Sequence, residues 1–594
     1  MDPRLGRAGT LNKYQPHDVI REDRPDGSIL LRARAELGPV VERTTDWLEH
    51  WAEATPDAVF LAERAGDGWR EVSYREARDT ARAMAVGLRD ISVGPGRPVM
   101  VVTGNSVAHG LLTLACHYAA APIVPVAEQY AAIPAARGQI DYIASLVKPG
   151  AVFAEDGVAL AEIFERDSLR DARPLMVHGP GLTLDDLTRM GGDLRGVEVG
   201  PDTVAKILMT SGSTSAPKGV RTTHRMMCTN QVQIAAALPF LRERPPVLVD
   251  WLPWNHVFGG SHNFNLVLAN GGALYIDGGK PVPALIGKTI ENNRLKQGTI
   301  SFNVPVGFAA LRDAMKDDPA FAQAFFEDLD MLFYAGASLP QDVWADLETM
   351  ARDVRGELPL FTSSWGLTET APAALLQHEP TERSGVVGVP LPGVDVKLLP
   401  VEDRFEVRVK GPSIFEGYLG DPEKTAEAFD EEGFFKTGDA MAFVDPANMN
   451  QGLRFDGRIG EDFKLMTGTW VRAGTLRLKV LEALKGIAQD VVLVGEGKGE
   501  VGALVVPTQA CRDTAEEADG ALITDKSFDG LCGWSGGSAG QIKRVLVMAE
   551  PPSMAEGEIT AKGNLNFAKI KARRADLVER LYAGGPGVIM VGDS

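Results

Sequence analysis

A run of small, hydroxyl-bearing residues is the segment of this sequence with the clearest chemical use. It reads Thr210-Ser211-Gly212-Ser213-Thr214-Ser215-Ala216-Pro217-Lys218-Gly219. Backbone N–H groups and hydroxyls in such a loop can wrap phosphate oxygens, and the Lys218 ammonium adds positive charge. The glycine and lysine spacing is not that of a Walker A loop. The run therefore predicts a phosphate-binding loop of another kind, with a flexible surface loop as the alternative.

Six further segments combine a charged, hydroxyl-bearing or aromatic side chain with glycine or another polar residue. They are Trp254-Asn255-His256, Gly336-Ala337-Ser338, Trp365-Gly366-Leu367-Thr368-Glu369, Gly433-Phe434-Phe435-Lys436-Thr437-Gly438-Asp439, Asp456-Gly457-Arg458 and Glu558-Ile559-Thr560-Ala561-Lys562-Gly563. A carboxylate suits a hard cation, and a single carboxylate can accept hydrogen bonds from two hydroxyls. Taken alone, each segment also has an ordinary explanation, such as a turn aspartate, a satisfied core histidine or a solvated lysine.

The first of these segments follow short apolar stretches that are typical of strands. The strand-to-loop pairs are Ile207–Met209 before Thr210, Val247–Val249 before Asp250, Met331–Tyr334 before Ala335, and Leu358–Phe361 before Thr362. Strands that alternate with helical patterns predict α/β layering. One such helix is predicted after the capping pair Ser73 and Glu76. Ligands in such sheets bind beyond the carboxyl ends of the strands. The four loops therefore predict one site.

The pattern changes along the chain and predicts three regions. Residues 1–40 are polar and rich in arginine and proline, and are interpreted as an extension. Residues 41–457 form a large domain of α/β layers, with a β-rich subdomain that begins at a hairpin of Val394–Leu399 and Phe405–Val409. Residues 458–594 carry their own strands and helices, enough for a small α+β domain. The predicted fold class is α/β, with a small, mobile C-terminal domain.

Composition excludes several classes of partner. The 61 basic and 80 acidic residues give a formal net charge of −19, which disfavours nucleic acid and anionic lipid as main partners. The four cysteines, Cys116, Cys228, Cys511 and Cys532, show no zinc or disulfide spacing. The longest apolar run, 107–126, is interrupted by histidines and prolines, so a buried helix followed by a strand is favoured over a membrane span. A reduced, cytoplasmic location is expected.

These segments, in this order, resemble the adenylate-forming superfamily, which includes acyl-CoA synthetases, firefly luciferase and peptide-synthetase adenylation domains. The resemblance implies ATP, Mg²⁺ and CoA as reactants and a role for each matched position. The nucleotide-binding positions are Thr210, Ser211, Gly212, Ser213, Thr214, Lys218, Gly336, Ala337, Ser338, Trp365, Gly366, Thr368, Asp439 and Arg458. Within that set, Trp365 is expected to stack on adenine, Thr368 to contact the α-phosphate and Asp439 to accept both ribose hydroxyls.

The remaining roles that the resemblance implies concern the reaction itself. Glu369 is expected to hold Mg²⁺, and His256 and Phe258 to border the acyl pocket, where His256 gates the carboxylate. Lys562 is expected to serve adenylation, and Lys464 to serve the second half-reaction. A rotation of the C-terminal domain about Gly460 is expected to switch the protein from the first step to the second.

Three departures from the superfamily pattern point to a narrower group. Ser215 and Gly460 stand where glycine and Asp or Lys are usual, and the segment from Glu461 to Val471 has a longer lysine-to-glycine spacing. That segment, together with Val249–His256, His262–Asn265 and Glu558–Gly563, is similar to feruloyl-CoA synthetases. A hydroxycinnamate or related aromatic acid is therefore the expected substrate, with other aromatic acids or a fatty acid as alternatives.

Three rival functions remain open at this point. One is adenylation with a carrier-protein thiol or an amine as acceptor, and another is a nucleotide-binding regulator without catalysis. A third is a hydrolase, because Gly533-Trp534-Ser535-Gly536-Gly537 satisfies the GxSxG pattern. No convincing strand precedes Ser535, and the glycines of Gly495–Gly499 lack the spacing of a dinucleotide fingerprint. The oligomeric state is not predicted.

Overall fold

The computed structural model describes residues 12–210, 217–508, 511–512, 525–534, 537–553, 556–559 and 565–592. In chain order the strands are β1 Val19–Asp23, β2 Ile29–Ala33, β3 Val59–Ala65, β4 Gly68–Ser73, β5 Val99–Val101, β6 Ile123–Pro125, β7 Ala151–Asp156, β8 Arg173–His178, β9 Leu182–Thr183, β10 Val204–Thr210, β11 Lys218–Thr223, β12 Val247–Asp250, β13 Ala273–Ile276, β14 Ile300–Asn303, β15 Met331–Tyr334, β16 Leu360–Gly366, β17 Ala373–Gln377, β18 Val386–Pro390, β19 Asp395–Val401, β20 Arg404–Lys410, β21 Phe435–Phe443, β22 Leu453–Arg458, β23 Phe463–Lys464, β24 Trp470–Val471, β25 Ala488–Val494, β26 Val501–Pro507, β27 Ile542–Val547 and β28 Val588–Met590. The α-helices are α1 Thr44–Ala54, α2 Tyr74–Asp90, α3 Val107–Tyr118, α4 Gln129–Ala132, α5 Gly138–Val147, α6 Ala161–Phe164, α7 Leu184–Arg189, α8 His224–Ala237, α9 Phe240–Glu243, α10 Phe264–Ala269, α11 Ile286–Leu295, α12 Pro305–Asp317, α13 Pro319–Phe326, α14 Gln341–Arg355, α15 Pro422–Ala428, α16 Ala473–Ala483, α17 Phe567–Arg573 and α18 Ala575–Ala583.

Three sheets lie before residue 459. A seven-stranded sheet has the order β11-β10-β6-β5-β7-β8-β9, a four-stranded sheet has β12-β13-β3-β4, and an eleven-stranded sheet has β1-β2-β19-β20-β21-β22-β18-β17-β16-β15-β14. The predicted site strands β10, β12, β15 and β16 therefore belong to three different sheets. Buried apolar side chains from Ile29 to Leu453 form one core that all three sheets share, and this core holds their strand ends together.

The C-terminal region has its own sheet, β25-β26-β27-β28, and a two-stranded hairpin of β23 and β24. Buried side chains from Phe463 onward form two further cores there. The predicted fold class is confirmed: α/β layers and a β-rich part precede a small α+β region. The hairpin predicted near residue 400 is β19 and β20, with Val396 opposite Val409.

Several local predictions are confirmed, with shifts that have physical causes. Ser73 caps α2 by accepting a hydrogen bond from the Glu76 N–H at 3.2 Å. The predicted strand at Leu358 begins instead at Leu360, where it pairs with Met331, because Pro359 has no N–H to donate. The apolar run at 107–126 forms the buried helix α3 and then strand β6. In the described part of the chain, no helix is long and apolar enough to cross a membrane.

The region before residue 40 does more than lie on the main body. Residues 19–33 form β1 and β2, and β2 pairs antiparallel with β19 through Leu31 and Val396. The apolar residues Ile29, Leu30 and Leu31 are buried in that pairing. These strands were not predicted, because a single short apolar stretch among polar residues has no repeat to reveal it.

Candidate active site

The two ends of the phosphate-loop run belong to neighbouring antiparallel strands. Its first residue, Thr210, ends β10, and Lys218 begins β11 directly opposite it in the antiparallel register. Ser211, Gly212, Ser213 and Thr214 lie outside the described residues. The hairpin thus fixes where the run leaves the sheet and where it returns.

Tyr418 joins the base of this hairpin to Glu369. The Lys218 ammonium nitrogen lies 4.3 Å from the centre of the Tyr418 ring. The Tyr418 hydroxyl donates a hydrogen bond to Glu369 Oε1 at 3.0 Å, and the Phe415 N–H donates to the Glu369 carbonyl at 2.8 Å. Burial, followed by the nearby Glu369 carboxylate, raises the pKa of Tyr418. A cation, an aromatic hydroxyl and a carboxylate that are distant in sequence are therefore adjacent.

Glu369 suits a metal ion that is shared with a nucleotide. No three His, Cys, Asp or Glu side chains among the described residues form a metal-binding group. Magnesium in such sites is held by one or two carboxylates together with substrate phosphates and water, so a single Glu369 beside the hairpin fits that donor set. The ion would offset negative charge on the phosphates.

Replacing Tyr418 with phenylalanine is expected to weaken magnesium-dependent ATP binding by about 10-fold, because Glu369 loses the donor that orients it. The ring that faces Lys218 remains. Calorimetric titration of ATP with and without Mg²⁺ measures the effect. Tyr275→Phe is a matched control, since the Tyr275 hydroxyl also donates to a glutamate, Glu71, at 2.7 Å. Equal affinities of Tyr418→Phe and wild type for Mg·ATP would contradict this role.

A second cluster surrounds Asp439, which is 2% exposed. The indole N–H of Trp365 donates to Asp439 Oδ2 at 2.8 Å, and Arg458 Nε lies 3.3 Å from Oδ1. Oδ1 accepts no hydrogen bond from the described residues. Burial raises the pKa of Asp439, and Arg458 opposes the shift. One carboxylate oxygen is thus fixed by Trp365, and the other lies beside Arg458 without a hydrogen-bond donor among the described residues.

The loop after β15 and the end of β16 lie side by side. The strands are parallel neighbours, with Tyr334 opposite Ser363, so Gly336, Ala337 and Ser338 continue from the same edge as Trp365. Gly336 has φ +88°, a conformation that favours glycine.

The segment that follows Trp365 is tightly packed. A Cβ on Gly366 would lie 1.7 Å from the Pro372 carbonyl oxygen, which explains the glycine. Thr368 and Glu369 begin a buried 3₁₀ turn, Thr368–Thr370. The backbone therefore holds these two side chains close to Trp365.

His256 and Phe258 follow β12 in the chain. His256 and Asn255 line a cavity of about 30 Å³ together with Thr210 and Tyr130. The chain then forms a π-helix, Phe258–Asn263, a form that is frequent at functional sites. The π-helix packs closely on the preceding backbone, because Cβ atoms on Gly259 and Gly260 would lie 2.3 and 2.1 Å from carbonyl oxygens of residues 252 and 254.

A buried polar network behind the π-helix was not predicted from the sequence. Lys206 on β10 is 3% exposed, and its ammonium donates to the Gly260 carbonyl. Burial lowers the pKa of Lys206 to about 7. Asn263 Nδ2 donates to Asp250 Oδ2 at 2.8 Å, and burial raises the pKa of Asp250 to about 7. Buried lysine and aspartate without an opposite charge are uncommon, and no local pattern reveals them.

The segment around Gly460 connects the two regions through ion pairs. Gly460 lies in a 3₁₀ turn, Ile459–Glu461, where a Cβ would meet no atom within 4 Å. The buried Arg404 pairs with Asp462, and its guanidinium also donates to the Asp456 carbonyl at 2.8 Å. Arg472 pairs with Asp403. These pairs, which cross residue 460, must break if the C-terminal region rotates.

Changing Gly460 to proline is expected to leave adenylation intact and to abolish thioester formation, because proline fixes φ and restricts Ile459. Pyrophosphate–ATP exchange measures the first step, and thioester yield measures the second. Gly460→Ala is the matched control, since the structure has room for its methyl group. Equal loss of both steps in the proline variant would reject a hinge at this position.

Only one of the two predicted lysines of the C-terminal region lies within the described residues. Lys464 is on β23, and its ammonium lies 4.9 Å from the centre of the exposed Trp470 ring. Lys562 lies outside the described residues. The segment before it is anchored, because Arg574 Nε donates to the buried Glu558 Oε1 at 2.7 Å and Ile559 bridges to Leu565.

Neither rival motif has its required context in the described residues. Residues 525–531, before Gly533, form a 3₁₀ helix rather than a strand. Ser535 itself lies outside the described residues. Residues 495–499 connect β25 to β26 in an antiparallel hairpin, whereas a dinucleotide fingerprint connects a strand to a helix.

Comparison with known proteins places this geometry in a family. The model of the AMP-binding enzyme family matches residues 48–419. Feruloyl-CoA synthase of Amycolatopsis sp. is 29% identical over 408 residues, which cover 67% of this chain and 76% of that protein. A methyl-dioxo-octahydro-indenyl-propanoyl:CoA ligase of Rhodococcus jostii is 25% identical over 495 residues, which cover 78% of this chain and 90% of that protein.

A solved structure has the same fold. ATP-bound MatB from Rhodopseudomonas palustris matches with a TM-score of 0.69 and 23% identity, over 90% of this chain and 99% of that one. The resemblance that the sequence motifs predict is thus confirmed. Because the family model matches more than half of its length, this chain belongs to the AMP-binding enzyme family.

Proposed function

We propose that this protein is an ATP-dependent acid–CoA ligase that activates a hydroxycinnamate or related aromatic acid. Family membership and the CoA-ligase relatives support an acid–CoA ligase. The observation that carries the proposal is the pair of clusters around the end of β16. Asp439 with Trp365 suits a ribose and its base, and Glu369 with Lys218 suits phosphates and their cation.

The first step forms an acyl-adenylate. A carboxylate oxygen of the acid attacks the α-phosphorus of ATP, and the bond to the β-phosphate breaks, releasing pyrophosphate. Lys562 donates hydrogen bonds to the acid and the α-phosphate, and Thr368 and Lys218 position the phosphates, so positive charge faces the oxygens that gain negative charge. Glu369 would hold Mg²⁺, which would offset the negative charge of the phosphates.

The second step transfers the acyl group. Rotation about Gly460 withdraws Lys562 and brings Lys464 and its hairpin to the site. The CoA thiolate attacks the acyl carbon, and the bond between that carbon and the phosphate oxygen breaks, which releases AMP and leaves a thioester. The Arg404–Asp462 pair stabilises one of the two orientations.

The aromatic substrate class is supported by the aromatic rings that pack around the start of the π-helix. Phe258, Phe302 and Phe333 pack their rings against one another, with ring centres 4.9 to 5.9 Å apart. Rings in such a cluster offer edge and face contacts to another aromatic ring. The feruloyl-CoA synthase relative supports the same class.

The test is mass spectrometry of reactions that contain ATP, Mg²⁺, CoA and one acid from a panel of ferulate, coumarate, benzoate and octanoate. Aromatic acyl-CoA with stoichiometric AMP is expected. Acyl-adenylate without thioester would favour a carrier-protein or amine acceptor. ATP binding without pyrophosphate exchange would favour a regulator, and octanoyl-CoA as the main product would reject the aromatic class.

A further inference from the structure

One polar ring lies within the aromatic cluster beside the π-helix. The His262 ring centre is 5.2 Å from those of Phe302 and Phe333, and 5.6 Å from that of Phe258. His262 is 1% exposed. An imidazole enclosed by three phenyl rings is expensive to desolvate, so its two nitrogens must be accounted for.

The neighbours of His262 determine where its proton lies. Asn263 Nδ2 donates to Asp250 Oδ2, and because an ionised carboxylate can only accept, this fixes the orientation of the Asn263 amide. Asn263 Oδ1 therefore faces His262 Nδ1 at 2.9 Å as an acceptor. Nδ1 must carry the hydrogen, so Nε2 presents a lone pair.

The protonation states agree with this arrangement. Burial lowers the pKa of His262 to about 4, which keeps the ring neutral. The pKa of Asp250 is about 7, so its carboxylate is ionised in mildly alkaline solution. The Leu252 N–H also donates to Asp250 Oδ1 at 3.1 Å, which stabilises the charge.

The Nε2 lone pair has no partner among the described residues. Other buried side-chain atoms also lack a hydrogen-bond partner among the described residues: Gln231 Oε1, Ser261 Oγ and both amide atoms of Asn265. A buried acceptor without a donor is energetically costly. His262 and Ser261 belong to the π-helix, and Gln231 Nε2 donates to the His262 carbonyl at 3.3 Å. A donor on a ligand would satisfy the unpaired His262 nitrogen.

We propose that His262 Nε2 accepts a hydrogen bond from a hydroxyl on the ring of the acid substrate, so that hydroxyaryl acids are selected over their alkoxy counterparts. This inference rests on the proposed ligase function and on Phe258 bordering the acyl pocket. Since Nε2 offers a lone pair, it pairs with a hydroxyl and repels an ether oxygen. Asn263 and Asp250 are positioning residues that hold this tautomer.

The experiment compares ferulate with its O-methyl ether, in which a methyl group replaces the phenolic hydrogen. The ratio of kcat/KM for the two acids is measured in mildly alkaline buffer, so that general damage to a variant cancels. The variants are His262→Phe, His262→Gln, which keeps an acceptor oxygen, and Asn263→Ala, which releases the tautomer. His178→Phe, at an exposed histidine on β8, is the control.

Wild type is expected to favour ferulate by about 10- to 100-fold, the consequence of one unpaired buried acceptor. The ratio should fall to about 2 or less in His262→Phe, fall partly in Asn263→Ala and His262→Gln, and stay unchanged in His178→Phe. A wild-type ratio near one, or an unchanged ratio in both His262 variants, would overturn the inference while leaving the ligase function intact. Absence of any acyl-CoA from any acid would reject the ligase function, and this inference with it.

Discussion

ATP affinity is expected to fall by about 100- to 1,000-fold when Asp439 is replaced with alanine, because two charge-assisted hydrogen bonds to the ribose are lost. The geometry explains why the loss should be large. Trp365 occupies one carboxylate oxygen, and the other is buried with no hydrogen-bond donor in the described part of the chain. The Trp365 N–H also loses its acceptor, which disturbs the ring expected to stack on adenine.

Calorimetric titration with ATP measures the loss, and AMP provides a second ligand that retains the ribose. Trp365→Phe separates the two contributions, since it removes the indole N–H and keeps the carboxylate. Asp445→Ala removes a carboxylate beyond the other end of β21 and is the matched control. Wild-type affinity in Asp439→Ala would exclude this carboxylate from the nucleotide site.

Lys562→Met is expected to slow adenylation by about 100- to 1,000-fold, the usual cost of one lost donor to developing negative charge. Thioester formation from chemically prepared acyl-adenylate should remain, because Lys562 is proposed to leave the site before that step. Single-turnover measurements of each half-reaction distinguish the two effects.

Lys569→Met provides the comparison for Lys562, as an exposed lysine on the next helix, α17. A variant of the anchor, Arg574→Met, should slow adenylation less than Lys562→Met, since it loosens the segment but keeps the ammonium. Equal slowing of both half-reactions in Lys562→Met would contradict a role confined to adenylation.

The sequence supports the fold class and the strands that lead into the predicted site, because their patterns are local. Apolar stretches that end in small polar loops locate β10, β12 and β15, and the motif order predicts the family. The sequence also predicts that these loops form one site. It does not reveal that the strands belong to three sheets, since sheet membership depends on pairings between residues far apart in the chain.

The contacts that orient the site were the hardest to predict. Tyr418 meets Glu369 across 49 residues, and Trp365 meets Asp439 across 74. Arg404 and Asp462 pair across residue 460, and His262 and Lys206 carry no motif that marks them. Each depends on long-range packing, which residue types and spacing do not encode.

The buried Lys206 links folding to proton release. Its pKa is about 7 in the folded protein, below its ordinary value of 10.5. Between these two values the unfolded chain binds a proton at Lys206 that the folded chain does not, so the free energy of unfolding rises with pH across that window. Below about pH 7 the ammonium is charged in both states, and the folded state bears the full desolvation cost behind the π-helix.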